Sequence, residues 1–180
     1  MAFWTDQGFE PKRNFMWRLK LADGNIEPFR LTKVGRPKFS VSKKEHNYLN
    51  RKFNFPGLIT WDNVTATVID DVSGQSIKTL KEGIIAGGYA DLDSTGTITD
   101  KKFETMNKSR MVDSIASSGR TMVIEQLDSD GNIVESYTLY NPWVVSLAPS
   151  ELDYSNEDLS TYEIELSYDW ASINVASQSE

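Results

Sequence analysis

Apolar residues alternate with polar ones along much of the chain, the signature of half-buried strands. Phe15, Trp17, Leu19 and Leu21 alternate with Met16, Arg18 and Lys20. Asp23-Gly24 then separates this run from Ile26, Phe29 and Leu31, which predicts a hairpin. Lys38 to Val41 reads as a short strand. The polar stretch from Ser42 to Asn50 reads as a long mobile loop, and Tyr48 to Phe55 as a segment broken by Pro56-Gly57. Ile59, Trp61, Val64, Ala66 and Val68 predict one strand ending at Asp70-Asp71.

The period then changes. Val72, Ile77, Leu80, Ile84 and Ile85 fit a helix, with Ser73 or Ser76 as the cap and Gly87-Gly88 as the stop. Tyr89 to Thr99 reads as an exposed loop, and Lys101 to Ser118 as a second, weaker helix offering Phe103, Met106, Met111 and Ile115. Strands return with Met122, Ile124 and Leu127. The turn Asp128-Ser129-Asp130-Gly131-Asn132 follows, and then Ile133, Tyr137 and Leu139, the best-marked hairpin in the chain. Trp143 to Leu147 is a short apolar run, and Ser150 to Ser160 an irregular turn. Tyr162 to Trp170 reads as one long final strand, aromatic and aliphatic on one side, with Glu163, Glu165 and Asp169 in a solvent-facing row on the other. The pattern as a whole predicts a mainly β (α+β) chain.

Composition narrows the function. The 180 residues suit a single domain spanning 1–180, with residues 1–13 an irregular arm and 174–180 an irregular tail. Nineteen Lys and Arg against 26 Asp and Glu give a net charge of −7, against a protein that grips nucleic acid. There is no cysteine and a single histidine, His46, so disulfides, thiolate metal sites and most His chemistry are excluded. No apolar run approaches the ~18–20 residues of a membrane span, so no membrane partner is expected. The start MAFWTDQGFEPKR lacks a basic segment followed by an apolar one, so no Sec-type signal peptide is expected.

The candidate chemistry reduces to turns and surface. Asp91 to Lys102 copies the first positions of an EF-hand loop, but Lys102 stands where a bidentate Glu should be, so no tight calcium site is expected. Asp128 and Asp130 fit turn capping better than a metal cluster. The phosphate-loop, dinucleotide and G-x-S-x-G patterns are all absent. No catalytic, cofactor or metal residue is assigned.

Two segments carry a family likeness. The first is Asn50 to Gly57 followed by Ile59-Thr60-Trp61-Asp62-Asn63-Val64-Thr65-Ala66-Thr67-Val68-Ile69-Asp70-Asp71. The second is Tyr137 to Trp143, then Leu152-Asp153-Tyr154-Ser155-Asn156, then Tyr162-Glu163-Ile164-Glu165-Leu166-Ser167-Tyr168-Asp169-Trp170. Their order and spacing resemble the tail tube proteins of contractile-tailed, myovirus-type bacteriophages. Two departures are a long Asp91–Lys102 loop and no small residue before Trp143.

The resemblance implies two antiparallel sheets packed as a sandwich or partial barrel, one flanking helix and a hexameric ring-forming subunit. It implies a structural virion protein, not an enzyme, whose rings stack into the inner tube through which double-stranded DNA is ejected without specific binding. Its partners would be itself, the tail sheath, a tape-measure protein, the baseplate hub and the tail terminator. Its location would be the phage tail, assembled in the host cytoplasm. A net-acidic lumen agrees with the charge, since carboxylates let DNA slide. In tail tube proteins a loop between early strands reaches the next ring. Lys43, Lys44, Glu45, His46, Asn47, Tyr48 and Leu49 occupy that place and are the candidate inter-ring contact, flexible until covered. Alternatives are a tube-initiating baseplate ring, a tube subunit of a phage-derived injection or type VI secretion system, and, from another class, a ligand-binding β-barrel.

Overall fold

The computed structural model describes residues 12–21, 24–25, 30–73, 78, 81, 84–85, 87–89, 105–116, 119–155 and 157–176. Eleven strands are ordered along them: β1 Trp17–Leu21, β2 Gly24–Asn25, β3 Leu31–Val34, β4 Phe39–Tyr48, β5 Arg51–Trp61, β6 Val64–Ile69, β7 Thr121–Leu127, β8 Ile133–Tyr140, β9 Trp143–Pro149, β10 Thr161–Ser167 and β11 Trp170–Val175. One antiparallel sheet has the order β11-β8-β7-β1-β2, a second β3-β6-β10-β9, and β4-β5 stand apart as a two-stranded ribbon.

Period-2 patterning builds the core. Leu19, Met122, Ile124, Tyr137 and Leu139 from the first sheet meet Leu31, Val64, Val68, Val144, Ile164 and Leu166 from the second, with Tyr168 at one end. The mainly β chain expected from the pattern and the packed sheets implied by the resemblance are therefore present, and neither sheet closes into a barrel. The helix Lys108–Ile115 flanks it, capped by the Asn107 side chain, which accepts from the backbone N–H of Ser109 at 2.9 Å and Arg110 at 3.3 Å. It presses Met111 and Val112 inward; Met106, expected on that face, is exposed.

The hairpins form where turn chemistry marked them. β2 is only two residues long, pairing Leu21 with Gly24 and Lys20 with Asn25. At the β7–β8 turn, Asp128 Oδ1 accepts from the N–H of Asp130 at 2.9 Å and of Asn132 at 2.7 Å. Gly131 supplies the positive φ of 83°. These hydrogen bonds, first that from the Asn132 side chain, hold the Asp128 carboxyl below its ordinary range. The Asp cluster does turn work, as expected.

Four expectations are corrected. Ser42 to Asn50 is not a mobile loop: Ser42 to Tyr48 complete β4, and only Leu49-Asn50 turn, Leu49 with φ 51°. Pro56-Gly57 do not break β5. Two residues, Gly57-Leu58, oppose the single Ser42, a bulge that absorbs the proline. A Cβ at Gly57 would lie 2.3 Å from Ser42 Oγ and 3.0 Å from the Ser42 carbonyl oxygen, so a larger residue there would have to turn the Ser42 hydroxyl aside. Ile59 to Val68 is not one strand: Asp62-Asn63 separate the ribbon from β6 in the second sheet.

Nor is Tyr162 to Trp170 continuous. β10 ends at Ser167, the chain turns through Tyr168-Asp169, and β11 joins the other sheet as far as Val175, two residues into the expected tail. Asp169 therefore leaves the carboxylate row and ties the corner. Its carboxylate pairs with Lys108 and accepts from Asn141 Nδ2 at 2.8 Å, and its N–H donates to the Tyr140 carbonyl at 3.0 Å. The Lys108 contact, and then Asn141, hold its carboxyl low despite burial.

Lys12 and Arg13 of the expected arm lack regular structure. The first expected helix is described only at Lys78, Lys81, Ile84 and Ile85, which are helical. The Asp91–Lys102 loop and the end segments 1–11 and 177–180 lie outside the described residues.

One buried charge is worth a test. Glu125 lies opposite Arg18 and beside Lys20 on the outer face of the first sheet, its side chain 8% exposed. Burial raises its pKa, but the Arg18 and Lys20 contacts outweigh that and leave it below the ordinary 4.5. A lowered folded-state pKa contributes stability that is full above 4.5 and lost as pH falls through the folded value. Glu125→Gln should therefore cost about 1 kcal/mol at neutral pH. That gap should close as pH falls below 4.5, read by urea unfolding across the acid range. A pH-independent gap would mean that packing, not charge, holds the site.

Candidate assembly surface

The ribbon is an unusual surface: it is paired with neither sheet and exposed along nearly all of its length. β4 is ten residues long, about 33 Å of strand, and every residue in it is exposed. Monomeric proteins rarely leave large contiguous apolar patches in water, and an isolated two-stranded hairpin is marginally stable. Here Phe53 and Phe55 are 45% and 55% exposed, and Leu49, Leu58 and Ile59 are exposed as well.

Register decides which side chains share a face, because residues directly opposite in an antiparallel pair point the same way. At the base, Phe39 pairs with Trp61 and Val41 with Ile59. The Phe39 and Trp61 rings lie 5.2 Å apart, and Trp61 lies 5.9 Å from Tyr168, which anchors the ribbon to the core. Beyond the bulge, Lys44 pairs with Phe55, His46 with Phe53 and Tyr48 with Arg51. These six form one aromatic, cationic face. Lys43, Glu45, Asn47, Lys52 and Asn54 form the opposite, polar face, where Glu45 bridges Lys43 at 3.2 Å and Lys52 at 3.6 Å. Alternation along β4 puts Val41 and Lys43 on one side, so the extra residue in β5 moves the apolar stripe from one face at the base to the other at the tip.

The seven residues expected at the inter-ring contact are thus brought together, but on two faces. Lys44, His46 and Tyr48 lie with the aromatics. Lys43, Glu45 and Asn47 are solvated among themselves, and Leu49 forms the turn. Arg51, Phe53 and Phe55 share that aromatic face and were not among the residues expected there. The signal was their alternation with Lys52 and Asn54, which a strand without a core behind it has no structural need to keep.

Other edges are open. β11 shows Trp170, Ile173 and Val175 to solvent, with Trp170 stacked 4.9 Å over Tyr140. At the far end of the second sheet, residues 150–160 expose Leu152, Tyr154 and Leu159. Asp153 folds this loop by accepting from the Ser155 N–H at 2.9 Å, which, with the Ser155 hydroxyl, holds its carboxyl low. Glu165 accepts from Asn63 at 2.9 Å and Ser146 at 3.3 Å, so it is a tethered surface carboxylate. No group of three or more His, Asp or Glu able to hold a metal occurs among the described residues.

Residues 92–171 match the family model described as T4-like virus tail tube protein gp19. No curated protein matches the sequence. Among solved structures, the fold is similar to the tube-terminating cap of the anti-feeding prophage, with TM-score 0.67 and 16% identity over 98% of this chain and 100% of that one. It is similar to a chain of the PVC sheath-tube complex, an extracellular contractile injection system, with TM-score 0.64 and 14% identity over 92% and 93%. It also matches a chain of the six-fold symmetrised anti-feeding prophage baseplate, with TM-score 0.64 and 10% identity over 93% and 97%.

Proposed function

We propose, from the match of residues 92–171 to the T4-like tail tube family model, that the chain is the structural subunit of a tail's inner tube, closing into hexameric rings that stack on one another. The observation that carries this reading is the ribbon, long, amphipathic, paired with neither sheet and exposed along all of β4. Open edges at β11 and β9 favour ring closure, since a heterologous contact with closing rotation removes exposed strand edges. The ribbon then covers its aromatics on the next ring. Its cross-strand pairing preforms it, so less ordering entropy is lost on docking than a mobile loop would lose.

In this reading the tube lies within a contractile sheath, between a baseplate hub and a terminator, around a tape-measure protein. Its lumen is net acidic, so double-stranded DNA passes without sticking, and the subunit carries out no chemistry. The expected location is the virion tail, assembled in the host cytoplasm. A second reading, a tube or cap subunit of an extracellular injection particle, is favoured by fold likeness to such assemblies over more than nine tenths of the chain.

Negative-stain microscopy of the purified protein with baseplate nuclei tests the proposal. Rings with six-fold symmetry and hollow tubes are expected. A protein that stays monomeric by light scattering at high concentration overturns it. Particles isolated from the native source separate the two readings: a DNA-filled head above the tube favours the tail, and headless particles favour the injection device.

A further inference from the structure

Charge is divided unevenly along this chain. All 19 Lys and Arg precede residue 121, and residues 121–180 carry twelve Asp and Glu with no Lys or Arg. The ribbon concentrates part of the cationic share. On its aromatic face, Lys44 and Arg51 have no ion-pair partner among the described residues, whereas Lys43 and Lys52 on the other face share Glu45.

The ribbon's cations and the carboxylates of one loop sit at opposite ends of β6. The ribbon leaves where Val64 pairs with Leu166. The loop 150–160 lies where Ile69 pairs with Thr161, with the Ser150 N–H donating to the Thr161 carbonyl at 2.9 Å. Six residues of β6 separate these ends, about 20 Å. The sequence 150–160 contains Glu151, Asp153, Glu157 and Asp158 and no Lys or Arg, and around them Leu152 is 91% exposed and Leu159 69%.

We infer that residues 150–160 are the seat on which the aromatic, cationic face of another copy's ribbon docks. This rests on the tube reading and names the acceptor it leaves open. Phe53, Phe55 and Tyr48 would cover Leu152, Tyr154 and Leu159, while Lys44 and Arg51 meet Glu151 and Glu157. A ribbon laid on another ribbon brings cations together, and a loop laid on another loop brings four carboxylates against four; both are disfavoured. A contact joining opposite ends is head-to-tail and propagates along an axis, as stacking requires.

Two variants test the inference by complementation. The first carries Lys44→Glu and Arg51→Glu, the second Glu151→Lys and Glu157→Lys. All four side chains are exposed, so circular dichroism and ring formation should match the wild type. Each variant alone, seeded with baseplate nuclei, should give tubes at least about tenfold shorter. In each, like charges now face across the ring junction. Mixed in equal amounts, rings of the two variants present opposite charges at every junction, and tube length should return to within about twofold of wild type. Raising salt should shorten wild-type tubes, because exposed pairs are screened.

If the Glu151→Lys/Glu157→Lys variant elongates like the wild type, or if the mixture stays short, the ribbon docks elsewhere and the inference is overturned while the tube reading stands. Should that variant fail to form rings, Glu151→Gln/Glu157→Gln takes its place, with shortening expected and normal length overturning the inference. A wild-type protein that never elongates overturns both readings, and that arm alone reports it.

Discussion

With residues 43–56 replaced by a two-residue Gly-Ser turn, the chain is expected to fold and to fail to elongate. The retained base keeps the Phe39–Trp61 and Val41–Ile59 pairs and the contact of Trp61 with Tyr168. Nothing removed belongs to the buried cluster. The cost to the subunit should stay within about 1 kcal/mol, a shift of up to about 4 °C in a chain of this length. Assembly should respond in the opposite way, with rings present and tubes absent. Calorimetry and electron microscopy on the same preparation separate the two effects. Tubes of normal length would make the ribbon a surface ornament. A collapse of the thermal transition would make it part of the subunit's own stability.

Leu139→Ala should produce the largest loss of stability. Leu139 is fully buried in β8, between the two sheets, and its removal leaves a cavity bounded by both. Large-to-small changes at such sites cost about 2–5 kcal/mol, and at about 3 kcal/mol the midpoint falls by roughly 10 °C. Ile133, on the same strand but exposed at its start, should tolerate alanine with a loss below about 1 kcal/mol. Thermal unfolding of the two variants checks the contrast. Equal effects would mean that the sheets do not share one packed core.

Much of this architecture was legible in the residues. Alternation found β1, β7, β8 and the greater part of β10, because each has one wet side and one dry side and the period of two records that difference. Asp128 and Gly131 marked their turn because the need is local: a carboxylate for nearby N–H groups and a residue free to take positive φ. The absence of cysteine and the single histidine removed whole classes of chemistry without any structure.

The ribbon was not legible as a strand pair. Ser42 to Asn50 reads as loop because both faces of an uncovered hairpin meet water, so no period remains, and only the pairing of β4 with β5 shows otherwise. The sequence motifs led to Lys43 through Leu49. Phe53, Phe55 and Arg51 join Lys44, His46 and Tyr48 only through a register set by the bulge at Gly57. The same holds where one run of alternation divides between sheets. Alternation continues unbroken from Tyr162 to Trp170, and between Trp61 and Val64 it only shifts phase by one residue, yet Asp62-Asn63 and Tyr168-Asp169 each hand the chain to a different neighbour. A period of two states which side of a strand is dry. Which strand lies beside it is set by contacts far apart in sequence, such as Asp169 with Lys108 and Asn141, and those exist only once the chain has folded.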